Sequence, residues 1–352
     1  MKNIFNIMWR NKIYVIFFIF IVVMNLLIFA DKRTRDAENA AVTATEHGRT
    51  LFSESSVEAR QEKIRDLAVE NPRLYFFMGL LNLAIIFIIF IGLFLDAYFV
   101  TRWLRKKPPD IRIEPQTSPK WNIADVARVA VTFIFFGYIF IFLQMFLTRL
   151  FPVFNNGNFR MVFSTLVMNT AGIIIILYFI IRKHGQSPRD AGLTLKKSSS
   201  AFFYAVIGYI AFVPILIAIM LMTFSVMKFL KFHPPMQPIV QVLTEEKEMP
   251  VLWFSVIFAA VLGPITEEIF FRGFMYKAVR KRFGIFCGMI STAVLFSLLH
   301  THIAGFLPIV ALGLLLAWLY EKTGSLVASM SVHIMHNVVM IGLVFLMRHV
   351  GA

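Results

Sequence analysis

The sequence predicts an all-α fold, a polytopic transmembrane bundle of about nine helices. Three observations carry that expectation. The chain of 352 residues is 58% hydrophobic and only 16% charged, with a mean hydropathy of +0.73. Soluble domains are about 45–50% apolar and about 25% charged, so one soluble core of this length cannot hide the excess. The apolar residues fall in long continuous runs, not in the ~10-residue alternating segments of a transmembrane barrel. The basic residues gather in short loops between those runs. The net charge of +15 is thereby explained as cytoplasmic anchoring of membrane helices, with no call for a nucleic-acid partner. A single cysteine, Cys287, excludes an intrachain disulfide and a cysteine-based metal cluster.

A membrane helix needs about 20 mostly apolar residues. In chain order the runs that meet this are Ile13–Ala30, Leu74–Val100, Val126–Phe151, Met161–Ile181, Ala201–Leu230, Val251–Met275, Phe283–His300, Ile303–Tyr320 and Leu326–Met347. The first follows Lys2, Arg10 and Lys12, as a signal peptide would. Its apolar stretch is long, however, and Ile28-Phe29-Ala30 leads into Asp31 with no A-x-A site, so it is read as an uncleaved anchor. Basic segments at the N-terminus, Arg102–Lys107, Arg182–Lys197 and Lys277–Arg282 alternate with Asp31–Arg73, of mixed charge, and His233–Pro250, which carries Glu245, Glu246 and Glu248. An N-terminus in the cytoplasm places every basic segment inside. The expected location is the cell membrane, of the bacterial inner-membrane kind.

Two segments lie outside the spans. Asp31–Arg73 carries Leu51, Val57, Ile64 and Leu67 among charges and ends at Pro72, suggesting an external amphipathic helix. Lys106–Lys120 holds Pro108, Pro109, Pro115 and Pro119, an extended linker composition. A boundary at this linker gives an accessory module over residues 1–120, with two transmembrane helices, and a seven- to eight-helix core over residues 121–352.

Ionisable residues within hydrocarbon spans are costly and point to function. Asn25, Asn82, Gln144 and Asn169 are single amides and suit helix–helix contacts. The sixth span differs, reading Gly263-Pro264-Ile-Thr-Glu267-Glu268-Ile-Phe-Phe-Arg272. Glu268 and Arg272 share a face at i, i+4 and can pair. Glu267 is turned about 100° away and stays available for another task. Gly263-Pro264 can kink the helix and admit water. The seventh span ends in Phe296-Ser-Leu-Leu-His300-Thr-His302, and the ninth holds His333-Ile-Met-His336-Asn337, with His333 and Asn337 on one face.

Depth brings these groups together. Glu267 precedes the turn at Phe283–Gly284 by 16 residues and His300 follows Phe283 by 17. In an antiparallel hairpin both climb roughly 24–26 Å from it. His333 and Asn337 rise roughly 15–20 Å from the Lys322–Gly324 turn on the same side. Four polar groups on three helices can therefore meet in one layer. In a water-accessible pocket they suit hydrolysis without a covalent nucleophile: Glu267 with His300 to deprotonate water, and His333 with Asn337 to bind the oxyanion. Ser297, Thr301 and Cys287 have no evident base partner.

Glu267-Glu268-x-x-x-Arg272, Phe296-x-x-x-His300 and His333-x-x-x-Asn337 resemble the three motifs of the CPBP family of glutamic intramembrane proteases, to which the type II CAAX prenyl endopeptidases belong. The resemblance covers the last third of the chain. It implies that Glu267 and His300 activate water, that His333 and Asn337 form the oxyanion site, and that Glu268 and Arg272 hold the first motif in place. It implies no cofactor and no metal, and a membrane-anchored or lipidated protein as substrate. Residues before about Lys120 inherit nothing from it. Two other readings remain: zinc held by Glu267, His300 and His333, with His302 or His336 as extras, and a non-catalytic scaffold, immunity or regulatory protein that uses the same pocket for binding.

Overall fold

The computed structural model describes residues 12–39, 69, 72–107, 111, 113, 117–232, 237–300 and 303–351. Among them every regular element is helical. The amphipathic segment carrying Leu51, Val57, Ile64 and Leu67 lies outside the described residues, as do Pro108, Pro109, Pro115, Thr301 and His302.

Seven helical stretches among the described residues are long and apolar enough to cross a membrane. One of them, Met249–Leu299, folds back at Gly284, whose φ of 84° and ψ of 175° break the helix. The shorter apolar stretch Lys12–Leu26 adds a further helix, so the nine expected helices are all present. The protein is a multi-pass helical membrane protein.

The described residues form two compact units. The first unit draws on Met1–Arg49 and Trp121–Gly185. It contains α1 (Lys12–Asn39), α3 (Ile123–Leu150) and α4 (Gly157–Leu177), which runs on into a π-helical turn, Tyr178–Lys183. A capping box opens α3: the Asn122 side chain accepts from Asp125 N–H, and the Asp125 carboxylate accepts from Asn122 N–H. Aromatic contacts join the helices, with Phe17 of α1 stacked on Phe135 of α3 at 3.9 Å. Between α3 and α4, Gln144 Nε2 donates to Ser164 Oγ.

The second unit draws on Thr50–Lys120 and Gln186–Ala352. Its elements are α2 (Pro72–Leu104), α5 (Ser198–Phe229), α6 (Pro238–Glu245), α7 (Met249–Ile257), α8 (Gly263–Glu268), α9 (Lys277–Leu299), α10 (Phe306–Thr323) and α11 (Leu326–Gly351). Its core is built by Ala205, Phe212 and Leu216 of α5, Leu312 and Leu316 of α10, and Ala328 and Val332 of α11. Burying such side chains contributes about 1.5–3 kcal/mol each in water, but between membrane helices the gain is mainly close packing. Small residues permit that packing. A Cβ on Gly92 of α2 would come within 2.5 Å of the Ile210 carbonyl oxygen of α5. At Gly313 of α10 it would meet Ala293 of α9 at 3.0 Å.

Two glycines set the levels of the site. Gly284 turns the rod that begins with α7 back into the second half of α9, and Gly324, at φ 72°, ends α10 so that α11 can return. Both positive φ values suit a residue without a Cβ.

Candidate active site

The rod running from α7 into α9 is not a uniform α-helix. It contains two π-helical turns, Phe258–Leu262 and Ile269–Tyr276, and they bracket α8, which carries Glu267 and Glu268. Such turns cluster at functional sites, because the i→i+5 register frees backbone groups and redirects side chains. For the first of them the sequence reason is Gly263-Pro264. In π register the N–H of position 264 would bond the carbonyl of position 259, but proline has no N–H. Asn337 of α11 fills the role: its Nδ2 donates to the Ala259 carbonyl oxygen at 2.8 Å.

Glu268 and Arg272 are both fully buried, and Arg272 Nη1 donates to Glu268 Oε1 at 2.7 Å. Arg272 Nη2 also donates to the Gly313 carbonyl oxygen of α10 at 3.2 Å. The guanidinium lies 4.6 Å from the centre of the Phe296 ring, a cation–π placement. The same Glu268 oxygen lies 3.1 Å from His333 Nδ1. Since Arg272 keeps that carboxylate an acceptor, Nδ1 is the donor and the imidazole ring is fixed.

Glu267 turns the other way and is about one-third exposed. Its Oε2 lies 3.7 Å from His333 Nε2 and 4.0 Å from His300 Nε2. His300 caps the end of α9, with Nδ1 2.7 Å from the Phe296 carbonyl oxygen. A carbonyl only accepts, so Nδ1 carries the hydrogen, and the neutral ring presents Nε2 toward Glu267 as an acceptor. Glu267, His300, Phe271, Phe296 and Leu299 line a cavity of about 220 Å³.

Five of the six expected site residues thus converge directly, and Asn337 joins them through the turn next to Glu267. Three of the residues set aside as structural bond to backbone carbonyls. Asn25 and Asn169 donate to carbonyls four residues back, Ile21 and Thr165, and Ser297 Oγ donates to the Phe306 carbonyl. His336 lies apart, its Nδ1 3.2 Å from Tyr209 Oη of α5. Among the described residues, no three His, Cys, Asp or Glu side chains are arranged to hold a metal ion.

Three participants escaped the sequence reading. Phe296 appears in a motif, yet its ring also supports His300 at 4.6 Å and His333 at 5.5 Å between ring centres. The carbonyls of Gly313 and Ala259 leave no mark in a sequence. The Gly263-Pro264 pair was the only local hint of the second.

Comparison with known proteins points to the same stretch. Residues 249–339 match the family model described as "Type II CAAX prenyl endopeptidase Rce1-like". The chain is similar to "Putative membrane peptidase YdiL" of Bacillus subtilis (strain 168), with 29% identity over 82 residues, which are 23% of this chain and 34% of that protein. It is also similar to "UPF0177 protein YxdF" of Lactococcus lactis subsp. lactis (strain IL1403), with 28% identity over 87 residues, 24% of this chain and 47% of that one. The chain spans about a third and about half of the length of these relatives. No solved structure matches it.

Proposed function

We propose, on the similarity of residues 249–339 to the type II CAAX prenyl endopeptidase Rce1-like family, that the chain is a CPBP-family membrane-embedded endopeptidase of the glutamic, metal-independent type. Its substrate is a membrane-anchored or lipidated protein. The observation that carries this reading is the facing of Glu267 by Nε2 of both His300 and His333, at 4.0 and 3.7 Å. Those separations are too long for direct hydrogen bonds and suit a shared water.

In the proposed reaction, Glu267 and the acceptor Nε2 of His300 take a proton from water as its oxygen attacks the scissile carbonyl carbon. The C=O electron pair moves onto oxygen. The oxyanion is met by Nε2–H of His333, present when that ring is the imidazolium, and by the second Nδ2 hydrogen of Asn337. Glu268 and Arg272 act as positioning residues that fix His333. As the tetrahedral intermediate collapses, the C–N bond breaks and the proton held by Glu267 and His300 passes to the leaving nitrogen. The second water proton leaves the new carboxyl group for the released nitrogen, so the products are a carboxylate and an ammonium. The substrate must be extended at the cut, because a helix hides its carbonyls in hydrogen bonds.

The test is cleavage of membrane-tethered and prenylated reporter peptides by purified protein, with and without a chelator. Cleavage that persists in chelator supports the reading. Loss of cleavage in chelator moves the chemistry to a metal. If no reporter is cut and Glu267→Ala still complements a deletion in cells, the chain is a binding protein.

A further inference from the structure

The unit formed by α1, α3 and α4 takes no part in the hydrolytic site, yet it holds a cavity of about 300 Å³. Its walls include Tyr14 and Phe17 of α1, Thr132 of α3, Ile174 and Ile175 of α4, and Phe179 of the π-helical turn. Two of the wall residues carry a cation on their rings. Arg128 lies 5.9 Å from the Tyr14 ring centre and Lys183 Nζ 4.3 Å from that of Phe179.

Those cations belong to one cluster. Asp125 is buried and accepts from Arg128 Nη1 and Lys183 Nζ, each at 2.7 Å, while His184 Nε2 lies 3.0 Å from its other oxygen. Asp125 is the one acidic residue between positions 121 and 185, whereas Arg182 and Lys183 adjoin His184 and Lys12 adjoins the cavity wall at Ile13. Arg128, Arg182 and Lys183 bring three formal positive charges to this end of α3 and α4 against the one negative charge of Asp125, so this end carries a net positive charge.

The charges sit at the ends of α1, α3 and α4 that the positive-inside rule places at the cytoplasm. The apolar walls reach roughly 10 Å below them at 1.5 Å per residue. Ile13, Ile174 and Tyr178, at 55%, 62% and 59% exposed, open the cavity toward the bilayer. A cation ring above an apolar slot of this depth matches a phospholipid with a negative headgroup over an acyl chain. Zwitterionic lipid brings its own cation and gains less.

We propose that this cavity binds an anionic phospholipid of the cytoplasmic leaflet, with one acyl chain between α1, α3 and α4 and the phosphate at Arg128 and Lys183. The proposal is independent of the proteolytic reading.

The test strips the detergent-solubilised full chain of lipid, adds dioleoyl phosphatidylglycerol or dioleoyl phosphatidylcholine, and counts retained lipid by native mass spectrometry. One phosphatidylglycerol should be held at concentrations where phosphatidylcholine is lost. Lys183→Gln, at an exposed position, should weaken retention about fivefold. Ile175→Trp, which fills the cavity, should remove retention while helicity by circular dichroism is unchanged. Arg149→Gln, at the opposite end of α3, should change nothing, and inorganic phosphate should fail to displace the lipid. Equal retention of the two lipids, indifference to Lys183→Gln and Ile175→Trp, or displacement by inorganic phosphate would each overturn the proposal.

Discussion

His333 Nδ1 lies 3.1 Å from Glu268 Oε1, an oxygen already held by Arg272 at 2.7 Å. The buried ion pair thus has a use beyond joining helices. It fixes which His333 nitrogen faces inward and aims the other at Glu267, 3.7 Å away.

Removing one member of this pair should be far worse than removing both. Arg272→Leu strands the Glu268 carboxylate in a site of no solvent exposure, a loss on the order of 3–5 kcal/mol. Glu268→Leu with Arg272→Leu removes both charges and should recover much of the stability, because a buried pair roughly breaks even against apolar packing. Unfolding temperatures in detergent decide this. Activity should be absent from both variants: the double variant lacks the Glu268 oxygen that anchors His333, and in Arg272→Leu that carboxylate is no longer held by the guanidinium.

Asn337 and Pro264 should show coupling. Asn337→Ala deprives the Ala259 carbonyl of its 2.8 Å donor, at a cost of about 1–3 kcal/mol for a polar group left unpaired. Pro264→Ala restores a backbone N–H at the position whose π-register partner is Ala259. The double variant should therefore be more stable than Asn337→Ala alone. Its cleavage rate should stay low, because the amide hydrogen proposed for the oxyanion is still missing. Recovery of rate along with stability would confine Asn337 to a structural role.

Phe296 should matter for rate more than for substrate affinity. Its ring packs against His300 and Arg272, each at 4.6 Å. Phe296→Leu forfeits aromatic contacts of about 0.5–1.5 kcal/mol, which predicts a fall in kcat of about 2- to 13-fold. A rise in KM with kcat unchanged would make it a substrate-contacting wall instead.

The loop before α5 should be intolerant at Gly192. This residue has φ 84°, its carbonyl accepts from Leu326 N–H at 2.9 Å, and a Cβ on it would lie 2.6 Å from the Tyr320 ring. Gly192→Ala should destabilise by at least the ~1–2 kcal/mol of a left-handed conformation, read as a lowered unfolding temperature.

Much of this architecture was legible in the sequence, and for identifiable reasons. A membrane span declares itself by apolar length, so all nine helices were found. Gly284 and Gly324 marked the turns, which gave the common depth of Glu267, His300 and His333. Helix ends were less legible: α1 runs on to Asn39, beyond the expected end at Ala30, because hydropathy marks where a chain leaves the bilayer, not where its hydrogen bonding stops. The pairing of α2 with α5 at Gly92 was also hidden. Residues so distant in sequence share no periodicity, and their fit depends on the absence of a single Cβ. The first π-helical turn is satisfied by a partner 78 residues away, Asn337 for Ala259, which no local pattern can reveal.

The central claim is that Glu267 acts on the attacking water. Its most direct measurement is the single-turnover rate of Glu267→Gln on a reporter that the unaltered protein cleaves, in the presence of chelator and with helicity unchanged. Glutamine keeps the shape and removes the base, so the account predicts a fall of at least about 100-fold, the usual contribution of general-base catalysis. A variant that cleaves as fast as the unaltered protein would contradict it.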